Sequence, residues 1–201
     1  MKKKLKIGIT GGIGSGKSLV SNFIKENGYT VLLSDLIAKD LMQNDDKIKK
    51  QIIKSFGDQS YIEGKLNTKY LAENVFVKKE NVEKINSIVH PPTLNRIEKE
   101  SNRILQKDNL VFVESALIYE AKFQKMFDHV ILIYSERDLR IKRAMDRDKI
   151  SNDEVEKRMQ FQLPDEDKKE RASFVIENNS TIEELKVRVK FILNLLTSLT
   201  S

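Results

Sequence analysis

Cysteine and tryptophan are absent from this chain, and histidine occurs only twice. Without thiols there is no disulfide and no thiolate metal centre, and two imidazoles are too few for a histidine-rich one. Aromatic residues make up 7 % of the chain. No RNP-type, zinc-finger or lysine/arginine-block signature accompanies them. The net charge of +6 therefore admits a nucleic-acid surface or a basic cleft for a polyanionic small molecule, and the scatter of the lysines makes much of it an ordinary solvated surface. No apolar run approaches the roughly 18 residues of a membrane span. Met1-Lys2-Lys3-Lys4 has the basic start of a signal peptide, but Gly8 and a glycine-rich stretch interrupt any apolar continuation. The expectation is a cytoplasmic protein with no membrane and no nucleic-acid partner, a monomer or weak homo-oligomer. A chain of 201 residues suffices for one sizeable core with inserted subdomains. Repeats, low-complexity tracts and linkers are also missing.

What is present is organised around Gly11-Gly12-Ile13-Gly14-Ser15-Gly16-Lys17-Ser18, which fits the phosphate-binding pattern G-x-x-x-x-G-K-[ST]. Glycine lets the backbone curl and turn successive N–H groups inward, with no Cβ to block a phosphate. Lys17 adds a mobile charge for the β- and γ-phosphates, and the Ser18 hydroxyl is a hard oxygen ligand for Mg²⁺. Leu5–Thr10 alternates as a strand does, and Leu19, Val20, Phe23 and Ile24 form a helical stripe. A helix starting at Gly16 or Lys17 directs its positive end into the loop.

Further along, Gly28 suits a helix stop, and Tyr29–Leu33 reads as a short strand buried on both sides. Ser34-Asp35 follows, at the strand end where ligands of parallel sheets bind, although either residue could simply cap the next helix. From Asn44 to Gln106 helical spacing dominates, with turns at Gly57-Asp58 and Glu63-Gly64. His90-Pro91-Pro92 is expected to break this run, with a new helix from about Thr93 to Leu105 and His90 at the break able to meet substrate. Leu110–Val113 is a buried strand ending in Glu114, either a metal-holding acid or a cap for a helix over Ala116–Ala121. His129–Ile133 is the next strand, with Ser135 as N-cap of a helix that carries Arg140, Arg143 and Arg147 on one face. Ser151-Asn152-Asp153-Glu154 is a capping box opening a second helix, placing Arg158 and Gln162 one turn apart before Pro164. Two such helices suit a lid closing over phosphates; a solvated basic face is the plainer alternative. Ser173–Ile176 is a last strand, and Ser180-Thr181-Ile182-Glu183 opens a closing helix with Leu185, Val189, Ile192 and Leu196 inward.

These residues together resemble the dephospho-coenzyme A kinase family along the whole chain. The matching strings are I-G-I-T-G-G-I-G-S-G-K-S at Ile7–Ser18, S-D-L-I-A at Ser34–Ala38, F-G at Phe56-Gly57 and L-A-x-x-V-F at Leu71–Phe76. They continue with I-V-H-P at Ile88–Pro91, R-x-x-x-R-D at Arg143–Asp148 and V-I-E-N at Val175–Asn178. The resemblance implies an α/β fold: a phosphate-loop kinase core with a parallel five-stranded sheet flanked by helices, a helical insertion and a helical lid. The core would take residues 1–35 and 108–201, with the lid at 140–165, and residues 36–107 would be the coenzyme A-binding insertion. It further implies γ-phosphoryl transfer from ATP, with Mg²⁺, to the ribose 3′-hydroxyl of 3′-dephospho-coenzyme A.

Lys17, Asp35, Arg143 and Arg147 are the implied catalytic residues. The nucleotide falls to Gly12, Ile13, Gly14, Ser15, Gly16, Lys17, Ser18, Leu19 and Asn178. The acceptor falls to Asp35, His90, Glu114 and Gln162, and the metal to Ser18 and Glu114. Departures from the family pattern are Leu33 where an acid is frequent, Ala116 and Tyr119 in a P-L-L-F-E string, Glu114 for aspartate, Thr68 for arginine and Lys149 for glycine. A nucleotide kinase with another acceptor fits loop and lid equally well. A guanine-nucleotide switch does not, since Asn67-Thr68-Lys69-Tyr70 is the nearest approach to N-K-x-D.

Overall fold

The computed structural model describes residues 3–200, so Met1, Lys2 and Ser201 lie outside it. In chain order the elements are β1 (Leu5–Thr10), α1 (Lys17–Glu26), β2 (Val31–Leu33), α2 (Ser34–Asn44), α3 (Asp46–Phe56), β3 (Tyr61–Ile62), β4 (Lys65–Leu66), α4 (Thr68–Val75) and α5 (Lys79–Ile104). They continue with β5 (Leu110–Glu114), β6 (His129–Tyr134), α6 (Arg137–Asp148), α7 (Asn152–Met159), α8 (Asp165–Lys169), β7 (Phe174–Glu177) and α9 (Ile182–Ser198). The chain divides into two compact units, one running to Leu33 and resuming at Ser101, the other Ser34–Glu100.

The first unit is built on a five-stranded sheet in the order β2-β5-β1-β6-β7, parallel at every pairing. Strand β1 is central, and Leu5, Ile7 and Ile9 are fully buried, as are Val111, Phe112 and Val113 of β5. Val20, Phe23 and Ile24 of α1 and Leu185, Val189, Ile192, Leu193 and Leu196 of α9 pack into the same core. Burying each such side chain contributes about 1.5–3 kcal/mol, which fixes the sheet as a rigid base for its loops. The register sets Ile9 beside Glu114 and Glu114 beside Leu33. The phosphate-binding stretch thus leaves β1 one residue beyond the row that holds Glu114.

Strand β2 is shorter than its sequence suggests. As an edge strand it leaves Leu32 and Leu33 half-exposed rather than buried on both sides. The Tyr29 N–H turns back to the Ile24 carbonyl, so that residue belongs to the helix exit and not to the ladder. The helix that a capping Glu114 would open does not form: Ala116–Ala121 is a series of turns, with Phe123 N–H donating to the Ile118 carbonyl.

The second unit gathers α2, α3, α4 and α5 around Ile48, Ile52, Leu71, Val75 and Val89. Its β3–β4 hairpin turns at Glu63 (φ 50°) and Gly64 (φ 77°), both left-handed as a two-residue hairpin turn requires. Strands of two residues are too short for alternation to announce them. The expected break at Pro91-Pro92 is also absent, since α5 runs unbroken through both prolines. By α-helical geometry they withhold N–H groups from the Ser87 and Ile88 carbonyls. Buried residues on either side, Val89 and Ile97, hold the helix in register, and the buried Thr93 hydroxyl donates to the Val89 carbonyl at 2.8 Å. Packing outweighs the local penalty.

Candidate active site

Strand β1 delivers the chain into the glycine loop, and α1 begins at Lys17 as the spacing requires. Gly14 (φ 76°) and Gly16 (φ 94°) adopt left-handed backbone that other residues disfavour. A methyl group at Gly14 would also strike the Arg140 carbonyl, and one at Gly16 the Asn178 carboxamide. Among the described residues, the N–H groups of Gly14, Gly16 and Ser18 meet no acceptor. Unsatisfied donors at the start of a helix form a ready anion site.

On the same face the Ser18 hydroxyl donates to Glu114 Oε1 at 3.2 Å, and Glu114 Oε2 is buried with no hydrogen-bond partner among the described residues. A hydroxyl and a half-satisfied carboxylate side by side are the oxygen donors a Mg²⁺ ion uses beside phosphates and water. Lys17 Nζ donates to the Gly11 and Gly12 carbonyls at 2.8 and 3.1 Å, so the ammonium lies over its own loop. Leu19 faces the other way and packs against the sheet core.

The back of the loop is held by side chains from distant segments. The Asn178 carboxamide, following β7, donates to the Ser15 carbonyl at 2.8 Å. Gln162 Oε1 accepts the Ile13 N–H at 2.9 Å, and Asp165 Oδ2 accepts the Gly12 N–H at 3.3 Å. Arg140 Nε donates to the Ile13 carbonyl at 3.0 Å and its Nη1 to Asp165 Oδ2 at 2.7 Å. Asp165, Lys168 and Glu120 carry little signal in the sequence. Asp165-Glu166-Asp167-Lys168-Lys169 looks like a solvated charge run, yet Lys168 is fully buried and Asp165 nearly so. The signal was positional: Pro164 followed by three acids marks a helix start, and α8 begins there, with Asp165 and Lys168 one turn apart.

Helices α6 and α7 form where the lid was expected, and the capping box between Ser151 and Glu154 is present. Three details differ. Ser135 does not cap α6; its hydroxyl donates to the Asn178 carbonyl, while Asn179 Oδ1 accepts the Glu136 N–H instead. Helix α7 ends at Met159, so Gln162 lies past it in a turn rather than one helical turn from Arg158. The arginine stripe is also not uniform, because Arg140 is buried on the loop. Arg143 donates to Ser135 Oγ and the Asn178 carbonyl at 3.0 and 2.9 Å. Arg147 forks onto Asp148 at 2.7 and 2.9 Å with its side chain 61 % exposed. Burial lowers the pKa of Arg140 and Arg143 from the ordinary guanidinium value. Lys149, at a position where glycine is frequent, has φ 55° and terminates α6 in a left-handed cap.

Asp35 and His90 belong to the other unit. Asp35 is the exposed second residue of α2, two positions along the chain from Leu33. His90 is half-buried in the middle of α5, and burial pushes its imidazole pKa down.

The pattern of the family described as dephospho-CoA kinase matches residues 5–184. A dephospho-CoA kinase of Fusobacterium nucleatum is 35 % identical over 185 residues, covering 92 % of this chain and 94 % of that protein. One of Salinibacter ruber is 38 % identical over 182 residues, covering 90 % and 92 %. Among solved structures, the dephospho-CoA kinase from Campylobacter jejuni superposes with a TM-score of 0.73 at 25 % identity, over 96 % of this chain and 97 % of that one. The loop, the parallel sheet and the paired helices beyond β6 are therefore those of an ATP-dependent phosphate-loop kinase, and the chain belongs to the dephospho-CoA kinase family.

Proposed function

We propose that this chain transfers the γ-phosphoryl group of ATP to the ribose 3′-hydroxyl of 3′-dephospho-coenzyme A, giving coenzyme A and ADP, as a cytoplasmic enzyme using Mg²⁺. The observation that carries the reading is the loop itself: donors at Gly14, Gly16 and Ser18 meet no acceptor among the described residues, with Lys17 above them and the Ser18–Glu114 pair alongside. A triphosphate satisfies all of these groups at once. The oxygens of Ser18 and Glu114 would hold Mg²⁺, which when bound supplies neutralising charge to the β- and γ-phosphates.

In the transfer a bond forms between the acceptor 3′-oxygen and the γ-phosphorus while the bond to the β–γ bridging oxygen breaks. The leaving oxygen remains on ADP. Because the transition state is loose, positioning and charge supply most of the acceleration. Lys17 neutralises the moving group, and Arg143 and Arg147 add charge from α6. Asp35 either takes the 3′-hydroxyl proton or helps hold the metal shell. Gly12 through Leu19, with Asn178 behind them, form the nucleotide side. His90, Glu114 and Gln162 are assigned to the acceptor, with the Ser34–Glu100 unit binding its pantetheine arm.

Binding energy from that arm can orient the 3′-hydroxyl, so shortening the acceptor should lower kcat as well as raise KM. The test is mass spectrometry of the product formed from ATP, Mg²⁺ and 3′-dephospho-coenzyme A, beside kinetics on adenosine and AMP. Coenzyme A formation with far poorer use of the short acceptors is expected. Equal kcat/KM for adenosine or AMP would overturn the acceptor assignment.

A further inference from the structure

The two ends of the lid segment are bonded to each other, and the same two side chains grip the phosphate loop. Arg140, on the first turn of α6, meets Asp165, at the start of α8, through Nη1 and Oδ2 at 2.7 Å. Both side chains are almost wholly buried, 7 % and 4 % exposed. Arg140 Nε also reaches the Ile13 carbonyl, and Asp165 Oδ2 accepts the Gly12 N–H. Two charges stand behind them. Lys168 Nζ lies 2.8 Å from Glu120 Oε1 and 3.6 Å from Asp165 Oδ1, and Glu120 Oε1 accepts the Leu163 N–H at 2.9 Å. Two cations and two anions, drawn from α6, α8 and the turns after β5, thus converge on one turn of the loop.

The arrangement has an electrostatic logic. A carboxylate behind a loop that must take a polyphosphate would repel the ligand if left alone. Arg140 and Lys168 offset it, so Asp165 can hold the Gly12 N–H without opposing phosphate. The planar guanidinium is suited to this place, because one fork serves a carboxylate and a backbone carbonyl together. The N–H groups of Gly12 and Ile13 are engaged from behind, by Asp165 and Gln162, while those of Gly14, Gly16 and Ser18 are not. We propose that the Arg140–Asp165 pair, backed by Lys168 and Glu120, is a clasp at the neck of the lid that presets the phosphate loop for nucleotide. Its members are positioning residues for the ATP side of the reaction and not for the acceptor side. The inference rests on the reading that the loop binds ATP.

The full-length chain and three variants are compared: Arg140→Lys, the double variant Arg140→Met/Asp165→Leu, and Lys168→Met. Calorimetry gives the ADP Kd, steady-state kinetics give KM for ATP and for 3′-dephospho-coenzyme A, and hydrogen exchange reports the amides of Gly12 and Ile13. Arg140→Lys keeps the charge but loses the fork, and the double variant fills the space without any clasp. Both are expected to weaken ADP binding and raise the ATP KM by about tenfold or more, because small misplacements of a positioning loop carry large costs. The acceptor KM should stay within about twofold, since ordering of the loop acts on nucleotide alone. Exchange at Gly12 and Ile13 should quicken. Lys168→Met keeps both loop contacts and removes a balancing cation, so it should weaken ADP binding in the same direction, even if the other variants fail to fold. Unchanged ADP affinity and unchanged loop exchange in every variant that folds would overturn the clasp, whatever happens to Tm. A parent protein that binds ADP yet leaves dephospho-coenzyme A unphosphorylated would sink the acceptor reading and leave the clasp standing.

Discussion

Ser18 and Glu114 are 96 positions apart in the chain, yet the serine hydroxyl donates to the glutamate carboxylate at 3.2 Å. The parallel pairing of β1 with β5 brings them together, since Ile9 and Glu114 share a row and the loop starts just beyond it. Glu114 Oε2 is buried and has no hydrogen-bond partner among the described residues. Glu114→Gln and Ser18→Ala should each raise the Mg²⁺ concentration needed for half-maximal turnover by about tenfold or more, at saturating ATP. A metal titration unchanged from the parent would remove these residues from the metal shell.

Asp35→Asn is expected to lower kcat by ~10²–10⁴-fold, the usual range for losing a general base. Its exposed position in the first turn of α2 means little packing is lost, so Tm should hold. Activity and Tm collapsing together would make Asp35 a helix-start residue first.

The sheet and the loop were legible because their signals are local. Leu110–Val113 and Val130–Ile133 are unbroken apolar runs, and the glycine pattern is a set of backbone groups adjacent in sequence. The helix through Pro91-Pro92 was not legible, because local proline chemistry argues for a break and only the burial of Val89 and Ile97 overrules it. The arginine stripe was half legible. Spacing puts Arg140, Arg143 and Arg147 on one face, but only tertiary structure buries the first on the loop, seats the second on Ser135 and Asn178, and leaves the third exposed. Asp165 and Lys168 were hidden by their own neighbours, acids and lysines that do face solvent.

That division within the stripe separates two mutations that look alike in sequence. Arg143→Ala removes donors to Ser135 Oγ and the Asn178 carbonyl, and Asn178 in turn holds the Ser15 carbonyl. It should lower both Tm and ATP kcat/KM. Arg147→Ala loses exposed contacts to Asp148, so its Tm should fall less than that of Arg143→Ala while ATP use weakens. Arg147→Lys should rescue partly, having no bidentate fork. Thermal melts and ATP kinetics on the three proteins decide it; normal kinetics in Arg147→Ala would return that residue to the solvated surface.

Acid should loosen the corner between α6 and α7. The hydrogen bond from Arg147, followed by the charges of Arg147 and Arg158, holds the Asp148 carboxyl below its usual range. A depressed carboxylate pKa stabilises the fold above the unfolded value of about 4, and that contribution fades as pH falls through the folded value. Tm of the parent should therefore drop on acidification below about pH 4 more steeply than Tm of Asp148→Asn, which has no carboxylate to protonate. Identical slopes would mean that the corner does not contribute to acid stability.

The two prolines of α5 offer a test in the stabilising direction. Proline in a helix interior costs about 3 kcal/mol relative to alanine, and Pro91 is exposed, so its ring is not needed to fill a core. Pro91→Ala would return an N–H to the Ser87 carbonyl, against which the freer unfolded chain costs about 0.4–1 kcal/mol. A net gain of about 2 kcal/mol should appear as a higher Tm and a later urea midpoint. His90 precedes this site, half-buried, and burial pushes its imidazole pKa down. If the prolines persist because they shape the acceptor side, the stabilised variant should show a raised KM for 3′-dephospho-coenzyme A with the ATP KM unmoved. A lower Tm in Pro91→Ala would show instead that α5 needs the proline backbone to pack, and that the ring is part of the fold rather than a burden on it.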